Sequence, residues 1–232
     1  MKRINVAIDG YAGCGKSTLA RDLAKALGYV FVDSGALYRG ITLYLVQRNV
    51  DVDDHGAVLH ALKAAPELKF GTENNHLLLD GVDVEADIRS DQRVLNLVSD
   101  AAAIPEVRKF LNGLQEDFVA KKGVVMEGRD IGTVIMPAAE LKLFITASIE
   151  ERIRRRSNDL SHRGEGVKDS EIRKNLEERD RKDAEREQAP LRMATDAIAV
   201  DSTQLDRQEQ LDLALALVRP LISPDTLLPF IQ

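Results

Sequence analysis

An apolar segment, Ile4-Asn5-Val6-Ala7-Ile8, runs through Asp9 into Gly10-Tyr11-Ala12-Gly13-Cys14-Gly15-Lys16-Ser17, and a helical pattern from Ser17 to Leu27 begins at once. A buried strand, a glycine turn and a helix N-terminus accommodate these three stretches in that order. The middle one fits G-x-x-x-x-G-K-[ST], in which glycines let backbone N–H groups turn inward around an anion. The helix start adds a partial positive charge and Lys16 a full one. Such a corner suits a phosphate chain. Lys16 would reach the β- and γ-phosphates of a nucleotide, Ser17 would ligate Mg²⁺, and Gly10 to Thr18 together would hold the nucleotide's phosphates.

The remaining pattern extends this unit into an open α/β sheet. Further short apolar segments occur at Tyr29-Val30-Phe31-Val32, Val124-Val125-Met126, Leu141-Lys142-Leu143-Phe144-Ile145 and Ala197-Ile198-Ala199-Val200, with helical stretches between them. Alternation of this kind predicts a five-stranded parallel sheet with crossover helices. One region breaks it. Leu68-Lys69-Phe70, the turn Thr72-Glu73-Asn74-Asn75 and Leu77-Leu78-Leu79 read as a hairpin, to which Val82-Asp83-Val84 adds a third strand. A small antiparallel sheet is therefore expected inside an inserted subdomain. Helical periodicity returns over 91–121, with Pro105 opening the second of two helices. The polar run Ser157 to Gly166 reads as a mobile loop.

Composition narrows the function classes. The net charge of −6 argues against a general nucleic-acid binder, while local arginines can still build a cleft for small anions. The single cysteine, Cys14, excludes an internal disulfide and fits a cytoplasmic location. Its place inside the glycine loop gives weight to its backbone rather than its sulfur. No apolar run approaches the roughly 18 residues of a spanning helix, and Met1-Lys2-Arg3 leads directly into the first strand, so neither membrane nor signal segment is expected. The four histidines show no metal-ligand spacing, and no G-x-S-x-G is present.

Ligands in open α/β sheets gather at the carboxyl ends of the strands. Three polar clusters fall there: the glycine loop, Asp33-Ser34-Gly35 with Tyr38-Arg39, and Glu127-Gly128-Arg129-Asp130. Arginines are numerous along the chain, and their planar forks suit a phosphoryl group whose charge spreads over three oxygens. Glu127, at a strand end, is placed as an acidic group that orients Mg²⁺ through water.

With these residues in view, the chain resembles the bacterial-type cytidylate kinases among the P-loop nucleoside monophosphate kinases, from Ile4 to about Leu217. The resemblance rests on Asp9-Gly10 with the loop, Asp33 to Arg39, Ile88-Arg89, Ser99, Pro105-Glu106-Val107-Arg108, Gly128 to Val134, Glu178-Arg179-Asp180 with Asp183, Arg186 with Ala189-Pro190-Leu191, and Asp201-Ser202-Thr203. It implies transfer of the γ-phosphoryl group of ATP to CMP or dCMP with Mg²⁺. The chain is expected to act on these small molecules as a monomer. It further implies that Ser34, Arg39, Ser99, Arg108, Asp130, Arg179 and Arg186 line the CMP site. Ser99, Arg108 and Asp130 would read cytosine, Asp183 and Arg186 would touch the sugar, and Arg39, Arg129 and Arg179 would hold phosphates. Lys16, Arg129, Arg179 and Asp130 would carry catalysis, and Arg155, with Arg156, would reach the donor from the base of a lid.

The implied organisation is a P-loop core at 1–34, 91–150 and 190–222, a monophosphate-binding insertion at about 35–90, a short lid at about 155–168 and a tail at 223–232. Glu127 stands where the family often has Asp, Tyr11 and Cys14 are less usual loop residues, and Lys182 replaces a frequent arginine. A P-loop kinase for another nucleotide or for a small metabolite such as shikimate is opposed by the hairpin insertion and the Ser99, Arg108 and Asp130 set. A GTP-dependent switch would carry Asn-Lys-x-Asp, which is absent.

Overall fold

The five expected strand segments pair into one sheet. In the computed structural model, which describes residues 2–71, 74–162 and 166–223, the chain begins with β1 (Asn5–Gly10), α1 (Lys16–Leu27), β2 (Val30–Asp33), α2 (Ser34–Gln47) and α3 (His55–Leu62). It continues through β3 (Leu68–Phe70), β4 (Leu77–Leu79), β5 (Val82–Asp83), α4 (Glu85–Ser90), α5 (Gln92–Ala101) and α6 (Pro105–Ala120). The last elements are β6 (Val124–Gly128), one π-helical turn (Ile131–Ile135), β7 (Leu141–Thr146), α7 (Ile149–His162), α8 (Asp169–Glu185), β8 (Ile198–Asp201) and α9 (Arg207–Ile222).

The sheet order is β2-β6-β1-β7-β8. Central β1 runs parallel to β6, with Asn5 opposite Val124, and parallel to β7, with Val6 opposite Leu141. All six residues of β1 are buried, as expected of a strand covered on both faces. Ile4, Val6, Ile8, Leu23, Val125 and Leu143 form the centre of its core. The smaller sheet, β3-β4-β5, is antiparallel, with Phe70 opposite Leu77 and Leu79 opposite Val82.

The chain divides into two compact units. The first comprises the residues up to Val32, Phe118–Ala184 and those from Ala189 onward; the second is Asp33–Asp117 with Glu185–Gln188. Residues 91–117, expected with the core, therefore group with the insertion. The cause is hydrophobic packing: Val94, Val98, Val107 and Leu111 of α5 and α6 share one buried cluster with Leu37, Ile41 and Tyr44 of α2, Leu77 of β4 and Ile88 of α4.

The loop expected from Ser157 is also shorter. Helix α7 continues to His162 because its apolar stripe, including Ile149, Ile153 and Leu160, packs with Ile172 and Leu176 of α8. Glu151 pairs with Arg154 and Arg155 one turn on. Of the segment expected as a lid, residues 163–165 lie outside the described residues, as does the tail from 224. No helix among the described residues is long and apolar enough to cross a membrane.

The π-helical turn had no signal in the hydrophobic pattern. The N–H of Ile135 reaches Asp130 O at 3.3 Å, and that of Met136 reaches Ile131 O at 2.6 Å, both five residues back. Asp9 at the end of β1 supplies the anchor: its two carboxylate oxygens accept from Ile131 N at 2.8 Å and Gly132 N at 2.7 Å.

Candidate active site

The glycine loop leaves β1 with Gly10 at φ +145°, and a Cβ there would lie 2.0 Å from the carbonyl oxygen of Ile145 on β7. Only glycine fits both the dihedral and the approach. Gly13 and Gly15 also have positive φ, 75° and 93°. Asp side chains cap α2, α3, α5 and α9, whereas α1 starts from Gly15 with no side-chain cap and no acidic residue in its first turn. Its leading N–H groups are left for an external anion. Lys16, 5 % exposed, folds back so that its Nζ donates to Tyr11 O at 2.7 Å. Ser17 Oγ donates to Glu127 Oε1 at 2.6 Å, which joins the loop to the acidic end of β6.

The α7–α8 pair grips the first half of the loop. Ala12 N donates to Asp180 Oδ1 at 3.1 Å, Arg152 Nε donates to Ala12 O at 2.7 Å, and Arg152 is ion-paired with Asp180. Tyr11 sits edge-on to Phe144, with ring centroids 5.9 Å apart, and the Arg152 guanidinium lies 5.5 Å from its centroid. The second half is held by Arg155 and Ser202, which donate to Cys14 O at 3.1 and 3.0 Å. Cys14 itself is buried, with Sγ 3.0 Å from Tyr11 O.

Cations concentrate beside this loop. Burial and then the neighbouring Arg129 push the Lys16 ammonium below its ordinary pKa. Arg179 is pushed down in the same way, by burial first and by Arg129 next. Arg179 Nε is buried without a hydrogen-bond partner among the described residues. Burial also opposes the charge of Arg129, but Asp183 and Glu127 overcome this and hold its pKa above the usual arginine value. Arg129 Nε donates to Asp183 Oδ2 at 2.8 Å. Like charges are held together here at the cost of burial, one with an orphaned donor, an arrangement that an anion can neutralise. Asp130, 4 % exposed, precedes the π-helical turn that Asp9 anchors.

The second unit holds Ser34, Arg39, Ser99, Arg108 and Arg186. Asp33 caps α2 through Ala36 N at 2.8 Å and also receives Arg39 Nη2 at 3.1 Å and Arg89 Nη2 at 2.6 Å. Burial alone would raise the pKa of Asp33; the two arginines reverse that and hold it well below the usual carboxylate range. Ser34 and Arg39 are both buried on α2. Arg108 of α6 is 4 % exposed, donates to Ala102 O at 3.2 Å and lies 5.7 Å from the Tyr38 ring centroid. Ser99 on α5 and Arg186 in the 185–188 segment are half-buried.

A family model described as cytidylate kinase matches residues 6–220. The cytidylate kinase of Flavobacterium psychrophilum is 45 % identical over 224 residues, covering 94 % of this chain and 99 % of its own length. That of Caldicellulosiruptor saccharolyticus is 44 % identical over 223 residues, covering 96 % and 98 %. The chain belongs to the cytidylate kinase family.

Within this family framework, the expected loop residues Gly10 to Thr18, with Arg129, Asp130, Arg155, Arg179 and Asp183, are all in the first unit, and Ser34, Arg39, Ser99, Arg108 and Arg186 are in the second. Contacts that the sequence reading did not assign are those of Asp9, Arg89, Arg152, Asp180 and Ser202. Asp9 had a signal, a carboxylate closing an otherwise apolar strand. Nothing distinguished Arg152 from Arg154, Arg155 and Arg156 in one charged run. The same run explains why Arg155, expected to reach the donor, is here also a clamp on the loop backbone and on Ser202 O at 2.7 Å.

Proposed function

We propose that this chain transfers the γ-phosphoryl group of ATP to CMP or dCMP, giving ADP and CDP or dCDP, as a cytoplasmic monomer acting on free nucleotides. The observation that carries the reading is the group Lys16, Arg129 and Arg179 beside an uncapped glycine loop, in a member of the cytidylate kinase family. Phosphoryl transfer asks little covalent chemistry of a protein; alignment and charge stabilisation supply most of the acceleration. Lys16 neutralises charge on the donor phosphates, and Arg129 and Arg179 take the charge that spreads onto the moving group. Asp183 keeps Arg129 oriented through its 2.8 Å bond.

The Ser17 hydroxyl and the Glu127 carboxylate, 2.6 Å apart, are hard oxygen donors and fit Mg²⁺, which keeps most of its waters and takes few protein ligands. Ser17 would hold the ion directly. Bound there, the ion would supply positive charge that lowers the repulsion among the donor's phosphates.

On the acceptor side, Arg39 and Ser34 bind the monophosphate, and Asp183 and Arg186 bind the sugar. Ser99, Arg108 and Asp130 read cytosine, which differs from uracil by an N4 amino donor and an unprotonated N3. A carboxylate accepts from N4, and arginine or a hydroxyl donates to N3 or O2. Uracil leaves these groups mispaired, which is where strong selectivity arises. The test is ADP release with ATP and CMP, dCMP, UMP or AMP. CMP and dCMP are expected to lead; UMP or AMP ahead of CMP overturns the cytosine assignment.

A further inference from the structure

A cavity of about 330 Å³ beside the phosphate loop contains a polar group that the reaction above leaves unused. Gly15, Thr18, Leu19, Arg155, Leu205 and Gln210 are among its lining residues. Gln210, on the first turns of α9, is 8 % exposed. Its Nε2 donates to Leu205 O at 3.0 Å. A backbone carbonyl only accepts, so this bond identifies the nitrogen end of the amide and leaves Oε1 as the free end. Oε1 comes within 3.3 Å of the position that a Cβ on Gly15 would take, so it abuts the loop backbone. Among the described residues it receives no hydrogen bond. The Leu205 bond makes a local clip at the start of α9; a clip needs only the nitrogen and gives no reason for an acceptor in the cavity.

Gly15 and Thr18 belong to the segment that holds the donor's phosphates. The part of the donor that continues past them is a ribose and a base. Leu19 and Leu205 supply apolar walls for a base, and Oε1 is an acceptor fixed in orientation. We propose that Gln210 is a specificity residue for the donor: its Oε1 accepts a hydrogen bond from the 6-amino group of an adenine ring seated in this cavity. A 6-oxo purine in the same pose sets acceptor against acceptor. An apolar side chain at 210 would make no such distinction. The proposal rests on the reading of the chain as an ATP-dependent kinase, and it adds which residue selects the donor base.

The test compares ATP, purine riboside 5′-triphosphate, which lacks the 6-amino group, and ITP, which carries a 6-oxo group, in the parent chain and in Gln210→Met. A neutral hydrogen bond of ordinary strength corresponds to about a 2- to 12-fold difference in binding. The parent is expected to show kcat/KM for ATP above that for purine riboside triphosphate by this factor, expressed in the donor KM, and a larger gap against ITP. In Gln210→Met both ratios approach one, with the KM for CMP unchanged. A parent ratio near one overturns the proposal and needs no variant, so a poorly folding Gln210→Met does not protect it. A Gln210→Met chain that keeps the parent's ratios also overturns it. If the parent phosphorylates no acceptor, the kinase reading fails instead, and equilibrium binding of ATP against purine riboside triphosphate still reads the Gln210 contact.

Discussion

Replacing Asp9 with Asn isolates the effect of burial on one carboxylate. Asp9 is 4 % exposed at the end of β1 and accepts the amides of Ile131 and Gly132. Burial lifts its pKa from 3.8 to about 6; the two amide bonds oppose the rise, the Asp130 charge adds to it, and Lys16 lowers it. In the unfolded chain the group returns to its ordinary value, so between about pH 4 and pH 6 the folded state holds a proton that the unfolded state has released. The resulting stabilisation is complete below the unfolded pKa and is lost as pH rises through the folded one. A gap of about 2 in pKa corresponds to ~3 kcal/mol. Asn cannot titrate, and it loses one of the two acceptors at a cost of about 1–3 kcal/mol that does not vary with pH. Urea unfolding of both chains from pH 4 to pH 8 gives the difference directly. The parent is expected to lose ~3 kcal/mol relative to Asp9→Asn between pH 4 and pH 7. A difference that stays flat across that range refutes the argument.

Gly10→Ala is expected to cost about 3 kcal/mol or more, because a Cβ would lie 2.0 Å from Ile145 O at φ +145°; thermal denaturation with and without ATP checks it. Asp33→Ala leaves Arg39 and Arg89 without the carboxylate they share, and a loss of roughly 3 kcal/mol in unfolding free energy is expected together with a raised KM for CMP. Lys16→Ala should lower kcat with every acceptor by about a hundredfold, whereas Asp130→Ala should collapse the preference for CMP over UMP; steady-state assays with both acceptors separate the two. ATP at about 100 times its Kd should stabilise the fold by ~2.7 kcal/mol in denaturation, while Lys16→Ala should abolish most of that protection.

The alternation of apolar segments made the five-stranded sheet legible, and the glycine spacing made the loop legible, because both depend on local chemistry: buried strands need apolar runs, and positive φ needs glycine. Pro105 marked the start of α6 for the same reason. What escaped was set by tertiary contact. Residues 91–117 have ordinary amphipathic periodicity, and only the partners of Val94 and Leu111 determine which cluster receives them. The π-helical turn depends on a carboxylate more than 120 residues earlier in the chain. The run Glu151 to Arg156 looked solvated as a whole, yet Arg152 is buried and holds the loop while Arg154 is 64 % exposed. Spacing cannot separate neighbours whose roles are assigned by the opposite side of a core.

The register of β1 has a consequence for how the protein is made. Its two neighbours are residues 124–128 and 141–145, more than a hundred positions downstream. A ribosome therefore releases the glycine loop long before the strands that flank it exist, whereas Asp33 to Asp117 emerges in one stretch, lacking only Glu185–Gln188 of its compact unit. Vectorial synthesis favours condensation of that cluster first, with the buried face of β1 left waiting in an extended, apolar and aggregation-prone state. Nascent chains arrested before about residue 146 would then show a protease-resistant 33–117 fragment and no affinity for ATP, so the capacity to hold the phosphoryl donor would be among the last properties the chain acquires.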